Sequence, residues 1–321
     1  MMYSIEVNNL TRVFRSKREE RSIIALDNVN LKIKQGEIFG LLGSNGAGKS
    51  TMIKILSTLL LPTNGNAYIH DHDILKDANE IRKIVNLVSG GETPGYGILT
   101  VKENLWFFSQ LYGLSNKEAK ERIDMLIKDM ELEEYKDIRM HKLSTGYKQR
   151  LNLARGFIND PKVLFLDEPT LGLDILNAKH IRSYVKEWVK SKNDRTVLLT
   201  THYMSEADEM CDRIALIFKG KIVACDTPKR LKDSVSSFTS AIIDVKSSYV
   251  SINSIDGVSI VQENYDGITR LKVLLEDQTY ISKLLYLLNN YNILSVKISE
   301  PTLEDVYIKY AGMSLSNDKP S

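Results

Sequence analysis

The stretch Gly43-Ser44-Asn45-Gly46-Ala47-Gly48-Lys49-Ser50-Thr51 follows an apolar run over residues 38–42 and leads into Met52-Ile53-Lys54-Ile55-Leu56. Strand, glycine-rich turn and helix, in that order, are what a phosphate-binding loop requires. Glycines let the backbone curl until successive N–H groups point at one spot. The helix N-terminus behind them adds about half a positive charge. In such a loop Lys49 reaches the β- and γ-phosphates, and the Ser50 hydroxyl is placed to ligate Mg²⁺. The competing reading is a glycine-rich turn with a chance Lys-Ser, which would not need these flanks. The residues therefore predict a nucleoside triphosphate site.

At 321 residues the chain has room for two domains. Its net charge of +2 sets up no strong field, so composition does not point to nucleic acid. Cys211 and Cys225 show no C-x-x-C spacing and read as buried free thiols of a reducing compartment. No apolar run approaches the roughly 18 residues of a membrane span. The first residues lack a basic and an apolar signal region, so a cytoplasmic chain is expected.

Short strands are expected at residues 5–10, 31–33 and 85–88, with a charged loop tip over 16–21. Thr100 and Glu103 form a capping box that opens a helix with Val101, Leu105, Phe108 and Tyr112 on one face. A second helix is expected over about 117–130, so this part reads as a helical insertion, about 99–157, within an α/β core. The core resumes with the continuous apolar strand Val163-Leu164-Phe165-Leu166. A helix over about 175–191, a strand over 196–200 and a hairpin around Lys219-Gly220 follow. Past Leu231 the texture changes. Ser234-Val235-Ser236-Ser237 reads as a linker, with strands expected near 241–245, 268–274 and 296–298 and a helix near 280–288. A final helix is capped by Thr302. The expected domains are 1–233, a small α+β domain over 234–313, and a disordered tail over 314–321.

A phosphate loop needs an acidic partner to hold its metal. Asp167 ends the strand over 163–166, and Glu168 follows at once. Adjacent acids at a strand end form an ordinary turn in many chains. Downstream of a phosphate loop, the stronger reading is that Asp167 holds Mg²⁺ and Glu168 polarises the attacking water. His202 follows another strand, and could be a plain surface histidine. Ligands of open parallel sheets sit at the carboxyl ends of strands. Gly43, Asp167 and His202 all lie just past such ends, so His202 is a candidate γ-phosphate contact.

Leu143-Ser144-Thr145-Gly146-Tyr147, upstream of Asp167, resembles the signature motif of ABC transporter ATPases. Leu171-Gly172-Leu173-Asp174 resembles their D-loop, and His202 their switch histidine. Phe14 stands where that family places an aromatic on adenine. The resemblance spans about residues 3–230 and implies a P-loop NTPase fold, the ABC nucleotide-binding domain with its helical subdomain, acting on ATP with Mg²⁺. It further implies a head-to-tail homodimer, or a paired ATPase subunit, in which the partner's ATP meets Ser144, Thr145, Gly146 and Asp174. Two positions depart from the pattern. Thr145 stands for a glycine and Tyr147 for a glutamine. The Q-loop glutamine is missing, with Gly90 nearest its place, so that either water or Glu92 takes its part.

The segment Ser299-Glu300-Pro301-Thr302-Leu303-Glu304-Asp305-Val306-Tyr307 resembles the end of ATPase subunits of the drug, antibiotic and sodium exporter branch. This implies a separate integral permease of the ABC-2 type and a peripheral place on the inner membrane face. The alternatives are the ATPase of another ABC transport system and a soluble non-transport ABC protein. One P-loop rather than two argues against ribosome-associated members, and the lack of sustained heptads argues against chromosome-type members.

Overall fold

The computed structural model describes residues 2–15, 22–90, 95–235, 238–247, 250, 258–277, 279–299 and 302–317. The charged tip at 16–21, Glu92, Ser236, Ser237 and residues 318–321 lie outside the described residues. The chain divides into two compact units, between Ile222 and Val223.

In the first unit, β1 (Tyr3–Arg15) and β2 (Ser22–Lys34) pair antiparallel. They are longer than the apolar residues alone suggest, because polar Glu6 and Asn8 occupy the outer face between buried Ile5, Val7 and Leu10. Next come β3 (Ile38–Leu42), α1 (Lys49–Leu56), β4 (Asn64–Ile69), β5 (His72–Asp73) and α2 (Ala78–Ile84). The order β2-β1-β4-β5 makes one antiparallel sheet.

The helical insertion follows β6 (Val85–Ser89). Helix α3 (Val101–Leu111) opens on the expected Thr100/Glu103 capping box. Helix α4 (Asn116–Asp129) opens on a second box, Ser115/Glu118. Each box satisfies backbone donors that a helix start leaves unpaired. Helix α5 (Thr145–Phe157) is capped by Ser144.

The chain then re-enters the sheet as β7 (Val163–Asp167), crosses by α6 (Ile175–Lys190) and returns as β8 (Thr196–Thr201). After α7 (Met204–Met210) comes β9 (Arg213–Phe218), and a Lys219-Gly220 turn with both φ positive leads to β10 (Lys221–Asp226). The second sheet has the order β10-β9-β3-β8-β7-β6, and β9, β3, β8, β7 and β6 run parallel. Every residue of β3 and β8 is buried, as expected of strands covered on both faces. The main core packs β1, β2 and β4 (Ile5, Leu31, Ile69) against α1 (Met52, Ile53) and the parallel sheet (Phe39, Phe165, Leu198). Strand order is what matters for the site. It sets β3, β8, β7 and β6 side by side, so their carboxyl ends share one edge although their residues lie far apart in sequence.

The second unit contains α8 (Pro228–Asp233), β11 (Thr239–Lys246), β12 (Val258–Tyr265), β13 (Ile268–Leu275), α9 (Tyr280–Leu287), β14 (Asn292–Ser299) and α10 (Leu303–Asn317). Its antiparallel sheet has the order β12-β13-β11-β14, with a core of Ile243, Leu271, Val273, Leu284 and Leu288. Strand β12 was not expected from sequence. The turn that joins it to β13 is Asp266-Gly267 with both φ positive, a hairpin signal.

Three expectations are corrected here. The division falls upstream of 233/234, because α8 packs on α10 within the second unit. Ser234 and Val235 are not linker: Ser234 ends α8, and Val235 is buried. Residues 314–317 are helical rather than disordered, as the last turn of α10. In addition, Cys211 is buried but Cys225 is exposed.

Asp305 ties the start of α10 to the sheet. One oxygen accepts from the Ser240 hydroxyl at 2.6 Å, the other from the Thr302 backbone N–H at 2.6 Å and its hydroxyl at 2.8 Å. Asp305→Ala strands these donors, of which Ser240 is buried. It should therefore lower stability by about 1–3 kcal/mol, read as a shifted urea transition of the full chain.

Candidate active site

Gly43 to Gly48 join the end of β3 to α1. Gly48 is the residue before α1 and has φ 110°, a conformation open to glycine and strained for others. A Cβ there would also lie 2.4 Å from the Ala25 carbonyl oxygen on β2. The loop curls against β2, leaving a cleft of about 150 Å³ lined by Ala25, Asn45, Gly46, Gly48, Lys49, Ser50, Thr51 and Glu168. Ala25 was not singled out from sequence, since its contribution is only to be small beside the loop.

Lys49 is 5 % exposed. Its ammonium donates to the carbonyl oxygens of Gly43 at 2.8 Å and Ser44 at 3.1 Å, and lies 3.6 Å from Glu168 Oε1. Ser50 is exposed in the first turn of α1, and Thr51 is half-buried. Ala47 is buried under the loop.

Asp167 ends β7, and its Oδ1 accepts from the Thr200 hydroxyl at the end of β8. The backbone turns sharply at Glu168, which has φ 51°. A side chain in that region costs on the order of 1–2 kcal/mol, and such outliers gather where function holds them. Glu168 N–H donates to the Thr200 carbonyl at 3.0 Å. Gln149, buried on α5, donates from its amide to the Pro169 carbonyl at 2.8 Å. His202, just past β8, brings Nδ1 to 3.2 Å from Glu168 Oε1. Lys49 and His202 thus flank one carboxylate from two strand ends.

Gly90 completes this edge. Its N–H donates to the Asp167 carbonyl at 2.7 Å. A Cβ on Gly90 would lie 1.9 Å from the Glu168 carbonyl oxygen, so no side chain, glutamine included, fits there without moving the β7 end. Glu92, the candidate substitute, lies outside the described residues.

The remaining candidates do not line this cleft. Phe14 is half-exposed on β1 with the Arg12 guanidinium 4.6 Å from its ring centre. Ser144 caps α5 through the Tyr147 N–H, and Thr145 is the exposed first residue of that helix. Asp174 caps α6. Gly146 packs against Asn177 of α6. Sequence reasoning missed Thr200 and Gln149. Thr200 had a signal, a hydroxyl ending an otherwise apolar strand; Gln149 had none.

The donor set suits a nucleoside triphosphate. The loop offers backbone N–H groups and one ammonium at a helix start, and the oxygens of Ser50 and Asp167 are of the hard kind that Mg²⁺ prefers. A glycine loop between a parallel strand and a helix, with paired acids on a nearby strand end, makes the first unit a P-loop nucleotide-binding fold.

The family model described as "ABC transporter" matches residues 26–171. The ABC transporter ATP-binding protein NatA of Bacillus subtilis (strain 168) is 35% identical over 219 residues, 68% of this chain and 87% of that protein. The probable multidrug ABC transporter ATP-binding protein YbhF of Escherichia coli (strain K12) is 41% identical over 232 residues, 71% of this chain; the match spans 38% of that protein's length. Among solved structures, the dimeric post-hydrolysis state of the ATP-binding cassette MJ0796, bound to ADP and Pi, aligns with a TM-score of 0.63 at 28% identity, covering 70% of this chain and 98% of that one. CbiO1 from Clostridium perfringens, part of the transporter complex cbiONQ, aligns with a TM-score of 0.63 at 28% identity, covering 72% and 91%. The chain belongs to the ABC transporter family and carries its ATP-binding cassette, an ATPase.

Two variants check this geometry. Lys49→Ala removes a charge-assisted donor worth about 1.5–3 kcal/mol and should raise the Kd for ATP about 10- to 100-fold by calorimetric titration. Gly90→Ala must push the Glu168 carbonyl aside. It should cost roughly 1–3 kcal/mol by thermal melting and slow hydrolysis, whereas unchanged melting would show that the β7 end yields freely.

Proposed function

We propose that this chain is the ATP-hydrolysing subunit of a membrane exporter, working as a head-to-tail pair beside a separate permease of the ABC-2 type. The observation that carries the reading is the meeting of Lys49, Glu168 and His202 at neighbouring strand ends, while Ser144 and Asp174 stand at the starts of α5 and α6. A site with its base and cation in one chain and its remaining helix start elsewhere is suited to completion by a second copy. The dimeric cassette among the structural relatives supports the pairing, and the names of the NatA and YbhF relatives support transport. Among the described residues no helix is long and apolar enough to cross a membrane. In this reading the permease holds the ATPase at the inner face. Nucleic acid has no part in this reading.

ATP would lie with its β- and γ-phosphates against the loop N–H groups and Lys49. Ser50 and Asp167 would hold Mg²⁺, which, when bound, neutralises charge on the β- and γ-oxygens. Glu168 takes a proton from the attacking water as its oxygen bonds to the γ-phosphorus. The bond to the bridging oxygen breaks, and ADP leaves with that electron pair. His202 beside Glu168 donates to the γ-phosphate and keeps the carboxylate aimed. From the second copy, Ser144 with the N-terminal turn of α5 would contact that same phosphate.

Glu168→Gln tests this reading. It should bind ATP normally and hydrolyse it about 10²–10⁴-fold more slowly, the usual worth of a positioned base. With ATP and Mg²⁺ the stalled protein should run on gel filtration at twice the monomer mass. Wild-type turnover would remove Glu168 from the base role. A variant that stays monomeric with ATP would contradict the pairing.

A further inference from the structure

Asn177 lies in the first turn of α6, between two segments that the proposed function sends to the partner's nucleotide. Its backbone N–H donates to Asp174 Oδ1 at 2.9 Å, and its side-chain Nδ2 donates to Asp174 Oδ2 at 2.6 Å. Its Oδ1 accepts from Arg150 Nε at 3.0 Å. Arginine can only donate, so the orientation of this amide is fixed: oxygen to Arg150, nitrogen to Asp174. On the other side the same amide abuts the signature glycine. A Cβ on Gly146 would sit 2.9 Å from Asn177 Nδ2.

Arg150 is itself held. Its side chain is 11 % exposed, and Nη1 donates to the Met130 carbonyl at 3.2 Å and pairs with the Glu131 carboxylate. Glu131 stands just past α4 with φ 52°, and His180 of α6 lies 3.6 Å from its other oxygen. The guanidinium thus spans the end of α4, the signature helix α5 and the start of α6. The hydrogen bonds from the Asn177 backbone and side chain hold the Asp174 carboxyl below the usual carboxylate range.

We propose that Asn177 is a positioning residue that locks the Gly146 turn of the signature helix to the Asp174 cap of α6, so that the signature turn meets the partner's nucleotide as part of one rigid piece. Both carboxylate oxygens of Asp174 are engaged within its own chain. In this account Asp174 acts through Asn177 and makes no direct contact with ATP. Gly146 lacks a side chain because Asn177 occupies that space, which gives the glycine a reason inside its own chain.

The test is a donor–acceptor swap in the full-length chain. Asn177→Asp sets two carboxylates against each other and should lower kcat for ATP hydrolysis about 10- to 100-fold, the scale of a misplacement near 1 Å. KM for ATP, the Kd of the isolated chain and its melting temperature should stay near wild type. Adding Asp174→Asn restores the bond in reverse, with amide at 174 and carboxylate at 177, and should recover most of kcat. Arg150→Lys keeps the charge beside Glu131 but lacks the Nε donor, and should fall between wild type and Asn177→Asp. Wild-type kcat in Asn177→Asp would overturn the proposal. So would a double variant that melts normally yet stays as slow as the single one, since the Asp174 charge itself would then be what matters. The inference rests on the proposed pairing, and the two fail differently. A Glu168→Gln chain that never dimerises with ATP defeats the pairing. A normal ATP dimer of Glu168→Gln beside a fast Asn177→Asp enzyme defeats only the lock.

Discussion

At the carboxyl end of β7 the backbone leaves the sheet through Glu168 in a left-handed conformation, and the rest of the site is built around that turn. Three neighbours hold it. The Thr200 carbonyl accepts the Glu168 N–H, Gly90 donates to the Asp167 carbonyl, and Gln149 donates to the Pro169 carbonyl. These come from β8, from the end of β6 and from α5, so parallel sheet and helical insertion both grip the same few residues. The strain at Glu168 persists because its surroundings over-determine it. What it gains is direction: the carboxylate lies between Lys49 and His202, with 3.6 Å to one and 3.2 Å to the other.

This turn explains a departure in the sequence that would otherwise look like a loss. Gly90 stands nearest the place where relatives of the resembled family carry a glutamine. The backbone approach to Glu168 is so close that even a methyl group does not fit. The glycine is therefore a structural requirement of the β7 end. Gly146 follows the same logic against Asn177. At Gly90 a neighbouring backbone carbonyl accounts for the missing Cβ, and at Gly146 the end of the Asn177 side chain crowds the place a Cβ would take.

Much of the cassette was legible in the sequence because its signals are local. The glycine loop, the apolar strands over 38–42 and 163–166, and the Thr100/Glu103 box each carry their physics within a few neighbours. The convergence of Gly43, Asp167 and His202 was legible through the rule that ligands sit at the carboxyl ends of parallel strands. The strand order that makes them neighbours was not, since it depends on pairings between β3, β8 and β7 across long stretches of chain. Gln149 was missed for the same reason, since it acts on Pro169 twenty residues away, and Asn177 because its contacts with Arg150 and Gly146 join different helices. The second unit was read less well. Its strand β12 alternates polar and apolar residues weakly, and the unit's start was placed too late because α8 gives no hint that it packs on α10.

In the proposed pair, one ATP is held by the loop and acids of one chain and by the α5 start of another. The most direct measurement is a crystal structure of the Glu168→Gln chain grown with ATP and Mg²⁺. The account predicts two copies facing head to tail. Lys49, Ser50 and Asp167 of one would stand around the phosphates and metal, with Ser144 of the other at the γ-phosphate. A nucleotide enclosed by a single chain, with every Ser144 remote from it, would contradict the account.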